Sequence, residues 1–158
     1  ASGKGAINDK TLRRIVMSYG GDANVYGSAV LYLNKEDLIA FGDVRGTNEK
    51  RAVYEITPNA ANPNIGIIKD GGLSVPYCIV PSLTALSGNA QAATAKQTMI
   101  YGSPLDFELA LFGDYSIEVS KDYKFAEGLL TVLGSVTTGG NVIIPDGFVI
   151  VTIPKTAG

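Results

Sequence analysis

Phe107-Glu-Leu-Ala-Leu-Phe112 and Ser116-Ile-Glu-Val-Ser120 alternate apolar and polar residues. A strand with one apolar and one wet face requires that period of two. Phe107, Leu109 and Leu111 stand against Asp106, Glu108 and Ala110, and Ile117 and Val119 stand against Ser116, Glu118 and Ser120. A helix over residues 105–112 competes with this reading, because Leu105, Leu109 and Phe112 share a helical face. A second long β run covers residues 129–137 and is expected to end at Gly139-Gly140. Phe148-Val-Ile-Val-Thr-Ile153 is apolar on both faces, which predicts a central strand covered on each side. The last third of the chain therefore reads as β.

Working upstream, the pattern changes. Leu12, Ile15, Val16 and Tyr19 recur at helical spacing between Asn8 and Gly20. Asn8 or Asp9 is placed to cap that helix, Gly20 and Gly21 to close it, and Arg13 and Arg14 fall on its wet side. Ala29-Val-Leu-Tyr-Leu33 has strand length and runs directly into Asn34, Glu36 and Asp37, the signature of a capped helix ending near Phe41-Gly42. From Arg51 to Ile56 the reading is β again. Asn59, Asn62, Pro63 and Asn64 mark a turn-rich loop, and Asp70-Gly71 a hairpin turn. Residues 73–83 are apolar but interrupted by Pro76 and Pro81, which predicts an edge or irregular strand. Residues 86–97 are small and polar and read as a mobile loop, with a short alanine-rich helix as the alternative. No internal repeat is present. Strands and short helices in this order predict an α+β fold.

The 158 residues amount to one domain or one and a small lobe, long enough to bury a core without metal or disulfide. Net charge is −2 and the pI about 5.1, which argues against a basic nucleic-acid binder. No run approaches the ~20 apolar residues of a membrane helix. Ala1-Ser-Gly-Lys-Gly5 lacks the apolar stretch of a secretory signal and reads as a cloning scar or a cut inside a longer protein.

The chain contains no histidine, which excludes Ser–His and Cys–His nucleophiles and imidazole metal sites. Its single cysteine, Cys78, excludes an intrachain disulfide and, among Val75, Pro76, Tyr77, Ile79 and Val80, is expected to be a buried, inert thiol. No phosphate loop or Gly-x-Ser-x-Gly elbow is present. Asp106, Glu108, Asp114, Glu118, Asp122 and Glu127 crowd one segment, and Asp106 and Glu108 would share a strand face as an acid/base pair or hard-cation site needs. The plainer reading is the wet face of a sheet, with Lys121 and Lys124 interspersed. Arg45, Lys50 and Arg51 read as a solvated loop. No catalytic, cofactor-binding or metal-ligating residue is assigned. The positive feature is a charge-poor stretch. Between Ile56 and Leu105 only Lys69, Asp70 and Lys96 are charged, a depletion found in interface cores. Its turn and loop residues Asn59, Asn62, Pro63, Leu86, Asn89 and Gln91 are the expected subunit-interface region.

Residues 107–134, Phe107-Glu-Leu-Ala-Leu-Phe-Gly-Asp-Tyr-Ser-Ile-Glu-Val-Ser-Lys-Asp-Tyr-Lys-Phe-Ala-Glu-Gly-Leu-Leu-Thr-Val-Leu-Gly134, followed by Asp146-Gly-Phe-Val-Ile-Val151, resemble the end of tailed-bacteriophage major capsid proteins. Leu33-Asn-Lys-Glu-Asp-Leu38 is similar to that family's strand ending before a helix, and Gly72-Leu-Ser-Val-Pro-Tyr-Cys-Ile-Val-Pro-Ser82 to its "Gly-x-Pro-Val-Val" segment. The resemblance implies the α+β major-capsid fold: an axial domain with a central sheet flanked by short helices (1–115, with 141–158 returning to it) and peripheral-type strands (116–140). The family's N-terminal arm, extended loop and spine helix have no counterpart in this sequence. It further implies a non-enzymatic head subunit of a phage or prophage, made in the bacterial cytoplasm and resident in the virion capsid. Its partners would be copies of itself in pentamers and hexamers, scaffold or portal proteins, and DNA as packaged cargo, with no cofactor and no membrane. An encapsulin-like compartment shell, a divalent-cation enzyme using Asp106 and Glu108, and a small-ligand module remain the alternatives.

Overall fold

The computed structural model describes residues 7–20, 29–46, 50–87, 94–120, 127–128 and 130–153. They form a sheet-rich α+β fold in two compact units, one within Ala1–Asp106 and Ile144–Gly158, the other within Phe107–Ile143. The first holds α1 (Thr11–Met17), β1 (Val30–Leu33), α2 (Lys35–Asp43), β2 (Glu55–Pro58), β3 (Ile65–Asp70), β4 (Leu73–Ile79), β5 (Lys96–Gly102), a 3-10 turn (Pro104–Asp106) and β8 (Phe148–Ile153). The second is the hairpin β6 (Phe107–Ser120) and β7 (Thr131–Val142).

The six strands of the first unit lie in the order β2-β3-β4-β1-β5-β8. β1 and β4 are parallel, and the other neighbours are antiparallel. One face of this sheet, bearing Leu31, Leu33, Ile68, Val75, Tyr77 and Met99, packs with Leu12 and Ile15 of α1 and Phe41 of α2 into the buried core. Phe41 meets Tyr54 edge-on at 5.1 Å, a favoured aromatic geometry. The Tyr54 hydroxyl donates to the Asn8 carbonyl at 2.6 Å, tying the chain ahead of α1 to the core.

Local chemistry explains the elements. Asn34 caps α2 by accepting from the Glu36 N–H at 3.0 Å, while its amide donates to the Leu83 carbonyl at 2.7 Å. The strand-to-helix switch at Leu33 is thereby fixed at the cap. Asn8 holds the start of α1 through the Lys10 N–H and the Thr11 hydroxyl. Pairing of Asp70 with Leu73 leaves Gly71-Gly72 as the β3–β4 turn, and Gly71 has the positive φ of 61° that glycine tolerates. Asn59 and Asn62 each accept from a backbone N–H two residues on, shaping the β2–β3 turn.

Several expectations are corrected. Pro76 does not place β4 at an edge; β4 lies between β3 and β1. The Ile79 N–H donates toward β3, to Asn64, and the Val80 N–H toward β1, to Leu33. By alternation the nitrogen of Pro76 faces β1, just before that ladder begins at Leu31–Tyr77. The missing donor falls where no partner is required. Conversely, β8 is not central: among the described residues it pairs with β5 alone, and Ile150 is 48% exposed. The strand read from Arg51 begins at Glu55, after an isolated bridge of Ala52 with Arg45. α1 ends at Ser18, whose hydroxyl donates to the Arg14 carbonyl, rather than on a left-handed Gly20. Lys96 and Gln97, expected in a loop, open β5. Residues 107–112 lie in β6 instead of an α-helix, and Leu105 and Asp106 belong to the short 3-10 turn before it.

β7 also runs through Gly139 and Gly140 instead of stopping there. A β-carbon on Gly140 would lie 2.5 Å from the Phe107 ring, and one on Gly139 2.8 Å from the Phe112 ring. These glycines are seats for aromatic side chains of the facing strand.

Candidate functional site

The buried polar groups of the first unit are structural anchors. Asp37 accepts from the Leu86 and Ser87 N–H groups at 2.9 and 2.7 Å. Asp70, buried, receives both Arg13 Nε and Nη2 at 2.7 Å. That carboxylate raises the Arg13 guanidinium above its ordinary value. The Tyr19 hydroxyl donates to Asp106 at 2.9 Å. Burial first, and then that hydrogen bond, pushes the Tyr19 phenol up to about 12. The sequence placed Arg13 on the wet side of α1, and about 59% of its side chain is indeed exposed. What periodicity could not show is that its guanidinium reaches back to the β3 terminus 57 positions away.

Asp106 and Glu108 do not share a strand face. Asp106 closes the 3-10 turn, buried in the first unit, and Glu108 is exposed in the hairpin. Among the described residues no group of three or more Cys, Asp or Glu side chains is arranged to hold a metal, and no helix is long and apolar enough to cross a membrane. Arg45 donates to the Gly42 and Val44 carbonyls.

Asn59, Asn62 and Pro63 sit exposed together in the β2–β3 turn. Leu86 is half-buried against the core, beside the Asp37 anchor. Asn89 and Gln91 lie outside the described residues. Cys78 corrects its expectation: it is half-exposed, on the sheet face away from the core.

That outer face carries an apolar row crossing five strands. Ile65 pairs with Cys78, Cys78 with Tyr32, Tyr32 with Ile100, and Ile100 with Ile150. Beside it lies a hollow of about 560 Å³ whose lining includes Val30, Ile67 and Pro76.

The hairpin presents a second apolar surface. Phe107 faces Val142, Leu109 faces Gly140, Ile117 faces Gly134 and Val119 faces Val132. Between Phe112–Thr137 and Ser116–Ser135 β6 carries two extra residues, bulging at Gly113 with φ 83°. An even insertion preserves the alternation. Phe107, Leu109, Leu111, Ile117 and Val119 therefore stay on one face with Val132, Val136 and Val142, all of them exposed. The other face carries Glu108, Ser116, Glu118, Thr131, Ser135 and Asn141, with Phe112 and Leu133 among them. The alternation legible in the sequence was that of an amphipathic strand, but its apolar side does not enter this chain's described core.

No family model and no curated protein matches the chain. A solved structure, "Capsid of empty GTA particle computed with C5 symmetry", shares its fold with a TM-score of 0.55 at 13% identity, covering 90% of this chain. This chain spans 43% of that capsid chain's length. The likeness is one of fold, between this sheet-rich α+β chain and a capsid chain.

Proposed function

We propose that this chain is part of a shell-forming capsid subunit, whose role is to fit against copies of itself. The observation that carries this is the fold likeness to a capsid chain along nearly the whole of this one. The exposed apolar faces support it, since a hairpin of two strands is marginal in water until something covers its apolar side. In finer terms, the subunit belongs to a tailed phage or prophage head, an icosahedral shell around packaged DNA. Residues 1–115, with 141–158 returning to them, take the axial role, and residues 116–140 the peripheral one. Pentamers and hexamers of the same chain are its partners, with scaffold or portal proteins joining at assembly. Its place is the virion capsid, after synthesis in the bacterial cytoplasm. The exposed turn holding Asn59, Asn62 and Pro63, with the segment bearing Leu86, Asn89 and Gln91, contributes to contacts between copies.

Electron microscopy of the full-length gene product tests the reading. Closed particles of uniform diameter are expected. A protein that remains a dispersed monomer at every concentration and ionic strength contradicts it.

A further inference from the structure

The outer face of the six-stranded sheet has a use that the core does not give it. Its centre, from Ile65 and Ile67 across Cys78 and Tyr32 to Ile150, is apolar and, among the described residues, free of charge. A charged pair, Lys69 and Glu55 at 3.7 Å, stands at its margin on β3 and β2. An apolar centre with polar groups at the rim is the anatomy of a protein contact. The hollow along it is open, and among the described residues it has no convergent charged groups to orient a small ligand.

We infer that this face docks a second copy of the same chain, with Cys78 inside the contact. The inference rests on the shell reading above and names one of its surfaces. Five strands of ordinary spacing and length present about 400 Å² in plan, roughly half of what each partner contributes to a standard interface. Such a contact is too small to hold a free dimer. It becomes effective when several contacts close together, as in a shell. The absence of charge favours a copy over a nucleic acid or an ionic peptide, both of which need countercharges.

Cys78, the chain's single cysteine, supplies the test. The full-length protein is labelled with a maleimide as dissociated subunit and as assembled particle, and the label on the Cys78 peptide is followed by mass spectrometry. The expected result is a reaction at least tenfold slower in the particle. Equal rates in the two states overturn the inference while leaving the shell reading intact, and failure to form particles at all overturns both. Ile67→Glu and Ile150→Glu, at half-exposed positions, are expected to keep the subunit's circular dichroism and melting temperature and to abolish assembly. Ile39→Glu, at a more exposed position on α2, is expected to assemble normally. Particles forming as readily from Ile67→Glu and Ile150→Glu as from the parent chain contradict the docking face.

Discussion

In the six-stranded unit Leu12, Leu31, Leu33, Phe41, Ile68 and Met99 are all fully buried, whereas in the hairpin Phe107, Leu109, Leu111, Ile117 and Val119 are 47–69% exposed. Both regions use the same residue types. The first closes its apolar surface within one chain, with helices laid over a sheet face. The second holds an apolar face together along twelve to fourteen residues and leaves it open. Burial of apolar area is the main stabilising term in folding, so the first region folds for itself. The second leaves that area uncovered by the described residues.

The contrast breaks most visibly at the core. Phe41→Ala removes a fully buried ring that meets Tyr54 and is expected to cost about 3–5 kcal/mol, read as a lower midpoint in urea. A loss below 1 kcal/mol would mean that the first unit is not independently packed.

Glycines give a paired version of the same comparison. A β-carbon at Gly66 would meet the Thr57 carbonyl at 2.5 Å and the Tyr77 ring at 2.8 Å, and Tyr77 is buried. Gly66→Ala should cost about 1–3 kcal/mol by overpacking. Gly140→Ala meets chiefly the half-exposed Phe107 ring, which can swing into solvent, so its melting temperature should move less. Equal shifts would show that the hairpin is as constrained as the core.

Asp37→Asn sharpens the account of the anchor. The buried carboxylate accepts two N–H groups, and an amide turns one acceptor into a donor facing a donor. A loss of about 1–3 kcal/mol is expected, measured by chemical denaturation; no change would remove Asp37 from the role given to it.

Alkaline pH probes the desolvated phenols. The Tyr19 phenol is raised from 10.0 to about 12, and burial also raises Tyr54, Tyr77 and Tyr101. The folded state therefore holds these protons to higher pH than the unfolded chain does. Stability is complete below about pH 10 and falls as the pH rises toward 12. Tyr19→Phe should flatten that fall, seen in denaturation midpoints between pH 9 and 12, and an unchanged slope would contradict the assignment. The smallest effect belongs to the hairpin's open face. Leu109→Ala should change the subunit's stability by less than about 0.5 kcal/mol, as read in the same urea titration.

Much of the fold could be read from the chain. The Asn34 cap, the Asp70-Gly71 turn and the alternation at residues 107–111 and 117–119 are local signals, set by backbone chemistry or by period. What misled was context from other strands. Pro76 looks disqualifying until the pairing of β4 with β1 is seen to begin one residue later, at Tyr77, and β8 looks central because the sequence does not reveal that its second face meets no further layer of the chain's described residues. Gly139 and Gly140 read as breakers because the phenylalanines that sit over them lie some thirty positions away. The poverty of charge between Ile56 and Leu105 is legible in composition alone. The row joining Ile65, Cys78, Tyr32, Ile100 and Ile150 comes from register across five strands, which composition does not encode.

Hydrogen exchange on the full-length protein, as dissociated subunit and as assembled particle, tests the central claim most directly. Amides of β6 and β7 are expected to exchange far faster than those of β1 and β4 in the subunit, and to become protected in the particle. Hairpin amides as protected as β1 and β4 in the lone subunit, or still unprotected in the particle, would contradict it.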